Sequence, residues 1–165
     1  MKRAERTPVD LVTPGKIAEL HQCAGACLFK YQQIEGLLKM LLPHMRPAGG
    51  EPPVGVDWRR LIDSKATLGI LFREFATKCT TDVPDVLGGY LEQLAAQRND
   101  LVHVRFTDPA RRLVTDEHID RAIAELNAEL HFAQPLAAVL CEIALAMKEY
   151  LERQGSVPDA PTIPD

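Results

Sequence analysis

One short stretch of this chain gathers the residue types of metal-free phosphodiester chemistry. Arg98, Asn99 and His103 lie within Leu94-Ala95-Ala96-Gln97-Arg98-Asn99-Asp100-Leu101-Val102-His103-Val104-Arg105-Phe106. RNA carries its own nucleophile, the 2′-hydroxyl. A neutral imidazole, whose ordinary pKa is about 6.5, can take the proton of that hydroxyl. A guanidinium, planar and always charged, can stabilise the extra charge that gathers on the phosphorus in the transition state. An asparagine can orient either the imidazole or the phosphate. The expected products are a 2′,3′-cyclic phosphate and a 5′-hydroxyl, and DNA would not be cut. Such chemistry needs no metal and no cofactor.

On an ideal α-helix, Asn99 and His103 stand about 40° apart on one face, whereas Arg98 and His103 are about 140° apart and about 7.5 Å along the axis. Long side chains can bridge that angle by leaning toward one rim, with a phosphate between them. Two structural readings compete. Arg98 can snorkel from its apolar stripe or pair with Glu92 or Glu74, and His103 can be a helix-terminal histidine held by the negative end of the macrodipole. Arg105, Arg111 and Arg112 are further candidates for RNA-backbone contact, against a plain reading as solvated charge at a helix end.

Helical segments must position these residues. The first runs from Pro14 to about Leu42, with Thr13 as a cap candidate and Pro14 in its first turn. Its seam of Ile17, Leu20, Ala24, Cys27, Tyr31, Ile34, Leu38 and Leu41 alternates steps of three and four. Residues 43–56 hold four prolines and three glycines, which cannot continue a helix. A second segment runs from Asp57, a cap candidate, to about Lys78, with a possible break near Asp63-Ser64 and Leu61, Leu68, Phe72 and Phe75 facing inward. Gly69 on it suits a close helix contact. A third runs from Pro84, capped by Asp82, to about Phe106, on the seam Leu87, Leu91, Leu94, Arg98, Leu101, Arg105. After a turn at Thr107-Asp108-Pro109, a fourth runs from Asp116 to Arg153. Its rhythm (Ile119, Ile123, Leu126, Leu130, Ala133, Ala137, Leu140, Ala144, Met147, Leu151) persists through Pro135, which predicts one kinked helix or two nearly collinear ones.

The expectation is therefore an all-α, mostly antiparallel bundle of four to five helices over residues 14–154, with an N-terminal arm (1–13) and a proline-rich, disordered tail (155–165). A length of 165 residues and 46% hydrophobic residues suit one domain with a core. No run reaches the ~20 uncharged apolar residues of a membrane span, and the basic start (Met1-Lys2-Arg3) leads into no apolar run, so no secretory signal is expected. Together these point to a cytoplasmic protein. The net charge of −4 argues against a broad electrostatic grip on nucleic acid and leaves room for a small local site. Cys23 and Cys27 share a helix face, with His21 near. Without a second Cys/His pair they read better as small buried residues than as metal ligands.

The run Arg98-Asn99-Asp100-Leu101-Val102-His103 resembles the signature of HEPN domains (higher eukaryotes and prokaryotes nucleotide-binding), in which an arginine and a polar residue precede a histidine across four to six intervening positions. Leu101-Val102 before the histidine, Phe106 after it and the upstream Lys65-Ala66-Thr67-Leu68-Gly69-Ile70-Leu71-Phe72 are similar to bacterial members. The resemblance extends from about Ile17 to Leu151. It implies an all-α bundle that dimerises with both motifs at a shared cleft, with Arg98, Asn99 and His103 as the catalytic set. It implies a metal-independent endoribonuclease serving as a toxin or in phage defence, or else an inactive RNA-binding or assembly module. One branch pairs with an antitoxin that modifies a tyrosine two positions after the histidine. Arg105 stands there in this chain, which speaks against that form of control. Asp100 lowers the positive charge beside the motif.

Overall fold

In the computed structural model, residues 12–45, 67–108 and 113–153 are described. They form four α-helices and one π-helical turn, with no strand among them: α1 (Pro14–Leu41), α2 (Leu68–Lys78), α3 (Pro84–Asn99), a π turn (Asp100–Val104) and α4 (Asp116–Arg153). α1 ends before Pro43, as expected; residues 46–56 of the expected break, the start of the second segment at Asp57, residues 1–11 of the arm and the tail lie outside the described residues.

α1 begins as its sequence predicts, with Pro14 in the first turn. Thr13 does not spend its side chain on a cap. Its hydroxyl donates to Asp116 Oδ2 at 2.5 Å and its N–H to Asp116 Oδ1 at 2.8 Å, which joins the start of α1 to the start of α4. These hydrogen bonds hold the Asp116 carboxyl below its ordinary pKa. Further rungs follow in step: Lys16 pairs with Asp120, Cys23 Sγ meets Asn127 Oδ1 at 3.8 Å, and Gln33 Nε2 donates to Cys141 Sγ at 3.7 Å. Residue numbers rise together along both helices, so α1 and α4 run parallel. The expected mostly antiparallel arrangement fails for this main pair.

Between α1 and α4 in the chain, α2 and α3 form an antiparallel hairpin. Gly69, near the start of α2, lies against Ala95 in the last turns of α3, where a Cβ at Gly69 would meet the Ala95 Cβ at 4.0 Å. α2 starts at Leu68 because Thr67 is extended (φ −74°, ψ 157°), so an unbroken helix from 57 to 78 does not form. At its other end, Lys78 Nζ donates to the Leu42 carbonyl at 2.8 Å, satisfying an acceptor left over at the end of α1. Val83, not Asp82, precedes α3, and Pro84 takes the first turn.

The core draws one stripe from each helix. Leu20, Cys27, Tyr31, Ile34, Leu38 and Leu41 come from α1; Leu68, Leu71, Phe72 and Phe75 from α2; Leu91 and Leu94 from α3. α4 adds Ile119, Ile123, Leu126, Ala133, Leu136, Ala137 and Leu140. Leu130 is only half-buried, and Glu129 takes the buried position beside it. α4 continues through Pro135, which is exposed. Proline has no N–H to give the carbonyl four residues back. One turn away, the Tyr90 hydroxyl donates to the Phe132 carbonyl at 2.7 Å and the two rings pack with centroids 4.8 Å apart. By length and composition α4 is apolar enough to cross a membrane, although Leu126, Ala133 and Leu140 on it are core residues of this fold.

Candidate nucleotide-contacting site at the end of α3

α3 does not continue to Phe106 in α-helical register. At Asn99 it widens into the π turn, in which the Arg105 N–H donates to the Asp100 carbonyl at 2.8 Å, five residues back. In such a turn, residues five apart take the stacked relation that residues four apart have in an α-helix. His103 lies within this turn, whereas Arg98 belongs to the α-helix before it. The widening places Asp100 beneath Arg105.

Arg98 is half-buried at the end of α3, and its Nη1 donates to Asn99 Oδ1 at 3.2 Å. Among the described residues it pairs with neither Glu92 nor Glu74, and its half-burial fits a guanidinium that snorkels from the apolar stripe. Asn99 and His103 are both exposed. The Thr107 hydroxyl donates to the His103 carbonyl at 2.8 Å, steadying the backbone beyond the turn. Among the described residues, no hydrogen bond joins the His103 ring to Arg98 or Asn99. Val102, Val104 and Phe106 leave apolar surface exposed around His103.

Arg105 departs from the expectation of an RNA contact. Its side chain is only 8% exposed and turns into the core. Nε and Nη2 donate to Asp100 Oδ2 at 2.9 and 2.8 Å, and Nη2 also pairs with Glu129 on α4. A guanidinium committed to two internal carboxylates is not available to a phosphate. Burial works against the charge of Arg105, and the hydrogen bonds to Glu129 and Asp100 outweigh it, so the guanidinium stays charged. Burial pushes the Glu129 carboxyl above its ordinary range, against the pull of Arg105. Arg111 and Arg112 lie outside the described residues.

The surroundings of this ion cluster are polar on the α1 side as well. The buried Tyr31 hydroxyl faces Gln97 Oε1 at 3.5 Å, beside Arg98 in sequence. Burial raises the Tyr31 phenol above its usual range. Cys27 donates its thiol to the Leu126 carbonyl at 3.1 Å, and burial pushes its pKa to about 11. Cys27 is thus a buried packing residue, as the plainer reading has it, whereas Cys23 is only half-buried. Among the described residues, no group of three or more His, Cys, Asp or Glu side chains stands ready to hold a metal ion.

Sequence reasoning missed Glu129. The signal was present: Glu129 lies three residues after Leu126 and four before Ala133, on the buried face of α4, and Arg105 already stood on the α3 seam. Opposite charges on two core-facing seams are the mark of a buried pair. Comparison of the chain with protein-family models, curated proteins and solved structures returns no match.

Proposed function

We propose that this chain is a metal-independent endoribonuclease of the HEPN type, acting in the cytoplasm as a homodimer and serving as a toxin or phage-defence effector. The observation that carries the reading is the π turn itself. It follows directly on Arg98 and Asn99 and carries the exposed His103. π turns of this kind recur at functional sites.

In the proposed reaction, His103 takes the proton from a 2′-hydroxyl. The 2′-oxygen then attacks the neighbouring phosphorus, and the bond from phosphorus to the 5′-oxygen breaks. The leaving oxygen takes a proton from water or from the imidazolium of a second copy. Arg98 binds the phosphate and stabilises its transition-state charge, and Asn99 orients Arg98 through the hydrogen bond between them. The apolar surface of Val102, Val104 and Phe106 around His103 suits cover by a second copy, which would set two motifs face to face.

The test is incubation of the purified protein with mixed-sequence RNA in EDTA. Cleavage leaving 2′,3′-cyclic phosphate ends, lost in Arg98→Ala and in His103→Ala with helix content unchanged, is the expected result. Undiminished cutting by His103→Ala removes the assigned role.

A second reading is a catalytically silent module of the same family that binds RNA or a nucleotide, or assembles with an antitoxin or another protein. It draws on the net charge of −4 and on the internal neutralisation of Arg105. Saturable RNA binding without turnover favours it.

A further inference from the structure

Buried ion clusters are poor investments for stability, because taking charges out of water costs as much as their attraction returns. The cluster here is also incompletely satisfied: Nη1 of Arg105 and Oε2 of Glu129 are buried without a hydrogen-bond partner among the described residues. Its geometry points to a use other than stability. The Asp100–Arg105 pair spans the same five residues as the backbone bond that closes the π turn. A carboxylate and a guanidinium five apart do not stack on an α-helix, where the stacked spacings are three and four. They stack only when the turn is widened. Glu129, held on the rigid α4, then draws the Arg105 end of the turn toward the core.

We propose that Arg105, with Asp100 and Glu129, is a positioning residue that holds the widened turn open and so fixes how Arg98 and His103 are presented at the surface. Arg105 touches no substrate; it acts through the backbone between Asp100 and Val104. Without the cluster, the amide at position 105 has a competing acceptor in the Leu101 carbonyl, four residues back, in ordinary α-helical register. The helix would tighten there, and His103 would rotate away from Arg98. The consequence for turnover rests on the ribonuclease reading; the consequence for the turn does not.

The experiment is NMR on the full-length protein, with no RNA present. Through-hydrogen-bond coupling between the amide at 105 and the Asp100 carbonyl reports the π turn. The variants are Glu129→Gln, which keeps the shape and removes a charge, and Arg105→Met combined with Glu129→Leu, which replaces the buried pair by apolar groups of similar size. Expected are loss of that coupling and a shift of the His103 ring resonances in the double variant, with cooperative unfolding retained. The single variant is expected to show a weakened coupling. Undiminished coupling in both variants overturns the proposal. If the wild type cuts RNA, kcat of the double variant should fall by about a hundredfold, as for other small misplacements of reacting groups, with KM within about twofold of wild type. Loss of coupling with unchanged kcat would also overturn the positioning role. A wild type that cuts no RNA would refute the ribonuclease reading alone, and the coupling would still decide whether the cluster holds the turn.

Discussion

Arg98 and Arg105 lie seven residues apart on one predicted seam, yet they have opposite fates. Arg98 ends half-buried with one neighbouring amide oxygen as its partner, and Arg105 ends buried between two carboxylates. The difference comes from what faces each: Glu129 on α4 stands opposite Arg105. Removing one member of such a cluster leaves an uncompensated buried charge. Arg105→Ala is therefore expected to cost about 3–5 kcal/mol in urea unfolding. That cost should depend on pH. Arg105 pulls the Glu129 pKa down, so its removal raises the folded-state value further. A carboxyl raised in the fold contributes stability that is present below its unfolded pKa and lost as pH rises through its folded pKa. The penalty of Arg105→Ala should accordingly be smallest near pH 4 and grow toward neutrality; a penalty that grows on acidification would contradict the assignment. By contrast, His103→Ala changes an exposed side chain and should alter stability by no more than about 0.5 kcal/mol.

The seams of α1 and α4 were legible in the sequence because burial on a long helix repeats at steps of three and four. Cys27, Tyr31, Ile34, Leu38 and Leu41 follow that rule, while of the earlier seam positions Leu20 is buried, Ala24 half-buried and Ile17 exposed. The π turn was not legible, since a local five-residue closure leaves no period to read. Its only trace is indirect: an acidic and a basic residue five apart, the basic one on a core-facing stripe. A break in the second segment was foreseen near Asp63-Ser64, whereas the extended residue that starts α2 is Thr67. Gly88 and Gly89 weaken α3, as their low helix propensity predicts, and a Cβ at either would meet nothing within 4 Å. Gly89→Ala should thus raise the unfolding free energy by about 0.4–1 kcal/mol, measured by chemical denaturation. A loss of stability there would mean that α3 packs against something this fold does not contain.

At the scale of the whole molecule, the parallel course of α1 and α4 could not be read from either helix. Two amphipathic seams do not say which way their partner runs. Exposed apolar side chains include Val102, Val104 and Phe106 around the motif and, elsewhere, Phe29 on α1 and Leu145 on α4. If the motif face is the dimer surface, Phe106→Glu should shift the protein toward monomer in sedimentation velocity, and Leu145→Glu should not. The reverse outcome would move the interface to the α1–α4 side and separate the two motifs.

The account turns on a 2′-hydroxyl attacking its own phosphate between Arg98 and His103. The most direct measurement uses one oligoribonucleotide whose cut position has been mapped, compared with the same strand carrying a single 2′-deoxy sugar on the 5′ side of that position. The account predicts cleavage of the first, with a 2′,3′-cyclic phosphate end, and none at that position in the second. Equal cleavage of both strands would contradict it.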